Sequence, residues 1–252
     1  MPSDAEHNLA QALIEARRSG RKVGLDAIGG GPADAAAAYR IQAEVARAVG
    51  PVAAWKTGRK SPGGEQTLAP IFAGTVRQSP ASFGADELWL IGIELEIAFR
   101  VEKPLPPVGA PDFEARARGC VSAVAAIEVV DTRLADHQAA GPLAKLADNQ
   151  INAGLVIGSP RADWQGLDLT TPQARLTFGG EAVIDGPRQV PGGDAFATFC
   201  TFARMVGEQC GGLQVGQCVT TGSLNGLPFI ERGTRVAGWI EGLGEVAVDF
   251  PA

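Results

Sequence analysis

Three glutamates have the type and spacing to hold a divalent cation. Glu94 and Glu96 lie two residues apart in the segment 90–100. In a strand both point to one face, about 7 Å apart, while Ile93, Leu95 and Ile97 form an apolar opposite face. Carboxylates so placed repel each other in an apolar setting, and a hard cation such as Mg²⁺ removes the repulsion. A solvated strand face would carry the same E-x-E pattern without a metal. Glu128 lies inside the almost wholly apolar run 121–130, which suits a strand buried on both faces. An ionised, unpaired glutamate there costs several kcal/mol. It must be neutral, paired with a cation such as Arg133, or bound to a metal.

These residues need a scaffold, and the remaining pattern supplies one. Residues 4–19 carry Leu9, Leu13, Ile14 and Ala16 at helical spacing, with Gly20 as the stop. A second helix is expected over 35–49, capped by Asp34 and ended by Gly50. From residue 51 the pattern turns to short apolar runs. The run 52–58 ends on Lys56 and Gly58, a polar glycine-rich loop covers 59–66, and 70–76 is a short strand or turn. Segments 174–178 and 181–184 flank Gly179-Gly180 as a hairpin, and three further strands are expected over 219–224, 235–240 and 245–250. Between them, 194–208 places Phe196, Phe199, Phe202, Ala203 and Val206 at helical spacing, a core-facing stripe.

The 252 residues suffice for one domain with an N-terminal appendage and a large core. A net charge of −6 argues against nucleic acid or an anionic membrane as partner. No apolar run approaches the roughly 20 residues that span a bilayer. The N-terminus lacks the features of a signal peptide. The four cysteines show no metal spacing, which reads as reduced thiols in a cytoplasmic protein.

Several stretches, taken in order, resemble the fumarylacetoacetate hydrolase superfamily, in its 2-keto-4-pentenoate hydratase and 4-oxalocrotonate decarboxylase branch. They are Trp55-Lys56-Thr57-Gly58, Gly92-Ile93-Glu94-Leu95-Glu96-Ile97-Ala98-Phe99 and Ala126-Ile127-Glu128-Val129-Val130-Asp131-Thr132-Arg133. Ala147-Asp148-Asn149, Ala153-Gly154 and Thr221-Gly222-Ser223-Leu224-Asn225-Gly226 follow. The resemblance implies an α+β fold, a fumarylacetoacetate hydrolase-like mixed β-roll with an N-terminal helical layer. Residues 1–50 would form a helical segment packed on a catalytic domain at 51–252.

The resemblance also implies Mg²⁺ or Mn²⁺ on Glu94, Glu96 and Glu128, and a substrate bearing a 2-oxo or 2-hydroxy acid group. Lys56 would act on that substrate, holding its carboxylate or C2 oxygen, or delivering a proton if burial lowers its pKa. Thr221 and Ser223 would offer hydroxyls, and Asp148 would stand behind or beside the substrate. The implied activity is a hydratase-like lyase of dienoic acids in aromatic catabolism. Alternatives are a 4-oxalocrotonate-type decarboxylase, an acylpyruvate hydrolase or isomerase, and a catalytically altered partner subunit. A homo-oligomer is expected, with a complex with a related hydratase or decarboxylase as a further option.

One departure stands out. Where many relatives carry a carboxylate after the short stretch 70–73, this chain reads Gly74-Thr75-Val76-Arg77-Gln78-Ser79. Arginine cannot serve as proton carrier, but it can grip a second carboxylate. Arg77 is therefore expected in the pocket, with Arg59 and Lys60 adding positive charge.

Overall fold

The computed structural model describes residues 3–252. Helices α1 (Asp4–Ser19) and α2 (Ala35–Val49) come first, followed by strands β1 (Val52–Gly58), β2 (Thr67–Phe72), β3 (Val76–Gln78) and β4 (Ala81–Ser82). The long strands β5 (Ile91–Val101) and β6 (Val121–Val130) flank the short helix α3 (Phe113–Ala117). Helix α4 (Pro142–Ala147) leads to β7 (Asn152–Ile157), β8 (Gln173–Phe178) and β9 (Glu181–Pro187). Helix α5 (Ala195–Met205) precedes β10 (Cys218–Ser223), β11 (Phe229–Ile230), β12 (Thr234–Ile240) and β13 (Gly244–Phe250).

Local chemistry explains the helices. Ser3 and Glu6 form a reciprocal capping box on α1, and Gly20 closes it in the left-handed conformation. The Asp34 carboxylate accepts from Ala37 N–H to start α2, and Asp194 does the same through Ala197 N–H for α5. Helix α5 stops three residues short of the expected end, because Gly207 turns left-handed and the chain folds into a tight turn at 209–211.

An eight-stranded mixed sheet runs β2-β1-β10-β5-β6-β7-β3, with β11 also on β5; a second, five-stranded sheet runs β4-β13-β12-β8-β9. The larger sheet curls until β2 approaches β7, where Asn149 Nδ2 donates to Pro70 O at 2.9 Å. Its outer face carries Ile93, Leu95, Ile97 and Phe99 into the main core against the second sheet and α5. There Phe99 meets Trp164, Phe196 and Phe199, all with ring centroids within 5.4 Å. The inner face is narrower and lined by Ala54, Ala98, Val124, Ala126 and Leu155. Small side chains allow that tight curl.

Helices α1 and α2 bury a separate apolar cluster with Phe72, Leu134 and Leu146. Gln42 ties this layer to the strands by donating to Leu68 O and Leu146 O, at 3.2 and 2.6 Å. Among the described residues no helix is long and apolar enough to cross a membrane.

Candidate metal and substrate site

Strand register brings the glutamates together. Glu94 of β5 lies directly opposite Glu128 of β6, and Glu96 follows on the same face of β5. Ser223 of β10 stands opposite Glu96, and Lys56 of β1 opposite Thr220 of β10. One oxygen from each of the three glutamates lies within 4.8 Å of the other two. Glu128 and Glu96 are buried and Glu94 is partly so.

Lys56 Nζ sits among these carboxylates, 2.6 Å from Glu128 Oε1 and 3.2 Å from Glu94 Oε2. It also donates to the backbone oxygen of Gln150 at 3.4 Å. Asn152 Nδ2 donates to Glu128 Oε1 at 3.0 Å, while Glu128 Oε2 is buried without a partner. Glu96 Oε2 accepts from Gly222 N–H at 2.5 Å. That contact needs the β10 bulge, where Gly222 takes φ of +118°, a backbone state that side-chain-bearing residues rarely adopt.

The electrostatics follow from burial. Burial, then the charges of Glu128 and Glu94, pushes the Glu96 carboxyl well above its usual range. Burial also raises Glu128, against the pull of Lys56. For Lys56, burial alone would lower the pKa, but the three carboxylates outweigh it and hold the ammonium above its ordinary value. Burial therefore does not lower the Lys56 pKa, the condition set for proton delivery, while Lys56 is the cation that answers these carboxylates; holding the substrate's carboxylate or C2 oxygen is the role this arrangement favours. Two raised carboxyls around one ammonium mark a cluster short of positive charge. The orphan Glu128 oxygen and the all-carboxylate donor set both fit a hard divalent cation.

A cleft of about 650 Å³ opens over Lys56, Glu94 and Glu96, with Arg59, Gln150 and Ser223 in its wall. Four expectations change here. Arg77 pairs with Val156 in the β3–β7 ladder, while Glu128 pairs with Leu155, so Arg77 lies on the sheet face opposite the glutamates. It bonds Glu87 and Ser82 O and stacks over the Phe83 ring at 3.9 Å, with no place in the cleft. Thr221 is buried and donates its hydroxyl to Ile97 O at 2.7 Å; the bulge puts Thr220 on the Lys56 face instead. Ser223 lines the cleft, yet its hydroxyl donates to Gly226 O at 2.6 Å. Asp148 is fully buried outside the cleft and accepts from Arg133 Nε at 2.5 Å, Arg133 N–H at 2.9 Å and Thr132 Oγ1 at 3.0 Å. Arg133 therefore neutralises Asp148, and the cation beside Glu128 is Lys56.

Some site residues escape sequence reading. Gln150 reaches the cluster from a left-handed turn between α4 and β7, and Asn152 from the first position of β7, with no periodicity to announce either role. Asn225 bonds Leu95 N–H at 2.7 Å and Ile93 O at 2.9 Å, bracing β5 on both sides of Glu94. Its only signal is its place in the Thr221–Gly226 stretch quoted above.

The site is thus a carboxylate trio on the inner face of a curled mixed sheet in an α+β protein. No family model matches the chain. Among curated proteins it is 30% identical over 257 residues to a 2-keto-4-pentenoate hydratase of Burkholderia vietnamiensis, covering 96% of each chain. The solved 4-oxalocrotonate decarboxylase from Pseudomonas putida G7, complexed with magnesium and adipate, shares the fold with a TM-score of 0.81 at 20% identity, over 98% of this chain and 97% of that one. A fumarylpyruvate hydrolase from Pseudomonas aeruginosa, in complex with Mn²⁺ and pyruvate, aligns with a TM-score of 0.54 at 18% identity, over 78% and 88% of the two chains. The chain belongs to the 2-keto-4-pentenoate hydratase family, within the fumarylacetoacetate hydrolase superfamily.

Proposed function

We propose that the protein is a divalent-metal-dependent lyase of 2-oxo and 2-hydroxy dienoic acids, of the 2-keto-4-pentenoate hydratase type, working in breakdown of aromatic compounds. The observation that carries this reading is the trio Glu94, Glu96 and Glu128 with Lys56 among them, Glu94, Glu96 and Lys56 lining the cleft. Full-length identity to a 2-keto-4-pentenoate hydratase supports it. The three glutamates would hold Mg²⁺ or Mn²⁺, in keeping with the magnesium and manganese named for two neighbours of the same fold. When bound, such a cation supplies electrophilic stabilisation of negative charge on the C2 oxygen of a 2-oxo acid.

The chain's own groups do the rest. Lys56 keeps a fixed ammonium beside the carboxylates, positioned to hold the substrate's C1 carboxylate or C2 oxygen. The inner-face apolar residues beneath the cluster limit water there and strengthen each charge contact. Of the acidic side chains in the cleft wall, Glu65 is the one outside the metal trio, which makes it the candidate proton carrier for hydration. A cytoplasmic homo-oligomer remains part of the proposal, supported by four free cysteines in the compartment argument alone.

A decarboxylase reading has one observation in its favour: Glu65, the one cleft carboxylate outside the trio, is exposed, so no buried carboxylate with a raised pKa lines the cleft as proton carrier. The test follows the diene absorbance of 2-hydroxypenta-2,4-dienoate with protein and Mg²⁺. Absorbance loss that a chelator abolishes is expected for hydration. No loss, with CO₂ released from the corresponding diacid, would replace the hydratase reading by the decarboxylase one.

A further inference from the structure

We infer that Arg133 is a positioning residue for the metal and substrate site, a clamp on the left-handed turn that brings Gln150 to Lys56 and Asn152 to Glu128. This rests on the functional reading above and adds the device that holds the site's geometry.

The turn Asn149-Gln150-Ile151 keeps positive φ at all three residues. Two contacts with the cluster leave from it and from the residue that follows. Gln150 O accepts from Lys56 Nζ at 3.4 Å, and Asn152 Nδ2 donates to Glu128 Oε1 at 3.0 Å. Arg133 grips the chain on both sides of the turn. Its Nη2 donates to Asp148 O at 2.8 Å, just before it, and its Nη1 to Asn152 O at 2.7 Å, just after it. Nε donates to Asp148 Oδ1 at 2.5 Å, and the Arg133 backbone N–H to Asp148 Oδ2 at 2.9 Å. One planar guanidinium thus sets the separation of the two ends of the turn.

Neutralising Asp148 does not account for this arrangement. Asp148 Oδ1 faces a second cation, Arg17 Nη2 of α1, at 3.6 Å. Any buried cation would answer that carboxylate, yet Nη1 and Nη2 both go to backbone oxygens, one on each side of the turn. An ammonium on a flexible stem cannot span the two in a fixed fork. A run of left-handed residues relaxes unless its surroundings over-determine it, which is the need a clamp meets.

The clamp has a fixed base. The Asp131 carboxylate accepts from Trp89 N–H at 2.9 Å and Leu90 N–H at 3.2 Å, at the entry to β5. Arg133 O accepts from Val23 N–H at 2.7 Å. Arg133 also lies three residues past the end of β6, the strand that supplies Glu128. Turn and ligand strand are therefore held as one body.

The test is calorimetric Mg²⁺ binding and amide hydrogen exchange on the wild type, Arg133→Lys, Asn152→Ala, these two combined, and Leu176→Ala, a core truncation in the second sheet. Arg133→Lys keeps the charge and loses the fork. It should bind Mg²⁺ about tenfold more weakly, the scale of losing an outer partner of a ligand. The Ile151 and Asn152 amides, bonded to Asp148 O and Asn149 O, should exchange about tenfold faster or more, with β8 and β12 unchanged. Leu176→Ala should lower the unfolding temperature at least as far, yet leave Mg²⁺ affinity and turn exchange within about twofold. Because Arg133 acts on Glu128 through Asn152, adding Arg133→Lys to Asn152→Ala should cost less than about threefold. If Arg133→Lys fails to fold, Arg133→Gln combined with Asp148→Asn removes both charges together and should show the same weak metal and fast turn. Unchanged Mg²⁺ affinity in the clamp variants, full additivity with Asn152→Ala, or an equal loss in Leu176→Ala would overturn the assignment. A wild type that binds no divalent cation would sink the metal reading, and the clamp would then stand or fall on the exchange of the turn.

Discussion

Glu94 and Glu128 face each other directly across the β5–β6 ladder, and Lys56 Nζ reaches both. Like charges opposite each other destabilise a sheet, so this pairing is held by positive charge. A divalent cation is expected to raise the unfolding temperature, with a gain near 2.7 kcal/mol at 100 times its dissociation constant. Glu128→Gln should weaken Mg²⁺ or Mn²⁺ by about 10²-fold or more, beyond the effect typical of losing an outer partner of a ligand. Calorimetry that finds unchanged metal affinity in Glu128→Gln would move the metal elsewhere.

Lys56 is expected to matter to stability in a metal-dependent way. Without metal, Lys56→Ala leaves the buried Glu128 facing Glu94 with no cation, a loss of about 3–5 kcal/mol. Saturating Mg²⁺ should restore most of that loss, because it answers the same carboxylates. Activity should still fall about 10²-fold, since the fixed charge for substrate is gone. Denaturant midpoints in chelator and in Mg²⁺ check the first part; equal losses in both would show that Lys56 and the metal do not share the site.

Arg77 changes role with its face. Its guanidinium holds Glu87 and the Phe83 ring on the core side, so Arg77→Leu should cost about 1–2 kcal/mol of stability. The kcat/KM values for monoacid and diacid substrates should both stay within about twofold. A selective loss on the diacid would return Arg77 to the pocket.

How much of this the sequence exposed depended on the range of the interactions involved. The apolar run of β6 and the alternation of β5 are local patterns, and both strands stand where they were expected, with the glutamates on the faces that alternation assigned. The capped helices were equally local. Arg77 was misassigned because its face is set by a parallel pairing with a strand some 80 positions on, which no local period reports. Thr221 and Thr220 exchanged faces because one bulge at Gly222 breaks the alternation. Asp148 looked like a site residue by its place in a motif, yet its partners Arg133 and Thr132 lie across a loop. Gln150 was invisible, since Asp148-Asn149 can signal a single left-handed residue but not a run of three that extends through Gln150 and Ile151.

That turn carries the final prediction. Asn149, Gln150 and Ile151 have φ of +51°, +51° and +57°, conformations that side-chain-bearing residues avoid and β-branched ones most of all. Asparagine takes this state more readily than most residues, but Gln150 and Ile151 each cost on the order of 1–3 kcal/mol, held in place by neighbouring contacts. Here Asn149 Nδ2 grips Pro70 O, Ile151 N–H bonds Asp148 O at 2.9 Å, and Ile151 O accepts from Asp131 N–H at 3.0 Å. The result aims Gln150 O at Lys56 Nζ and sets the Gln150 side chain in the cleft wall. Gln150→Gly should relieve the strain at that residue and raise stability by about 1 kcal/mol, because glycine takes positive φ without a Cβ penalty. The same freedom loosens the carbonyl that steadies Lys56, so kcat/KM should fall several-fold while the unfolding midpoint rises. Opposite signs in stability and activity are the signature of strain kept for function. A midpoint that falls while turnover is unchanged would mark the turn as ordinary packing.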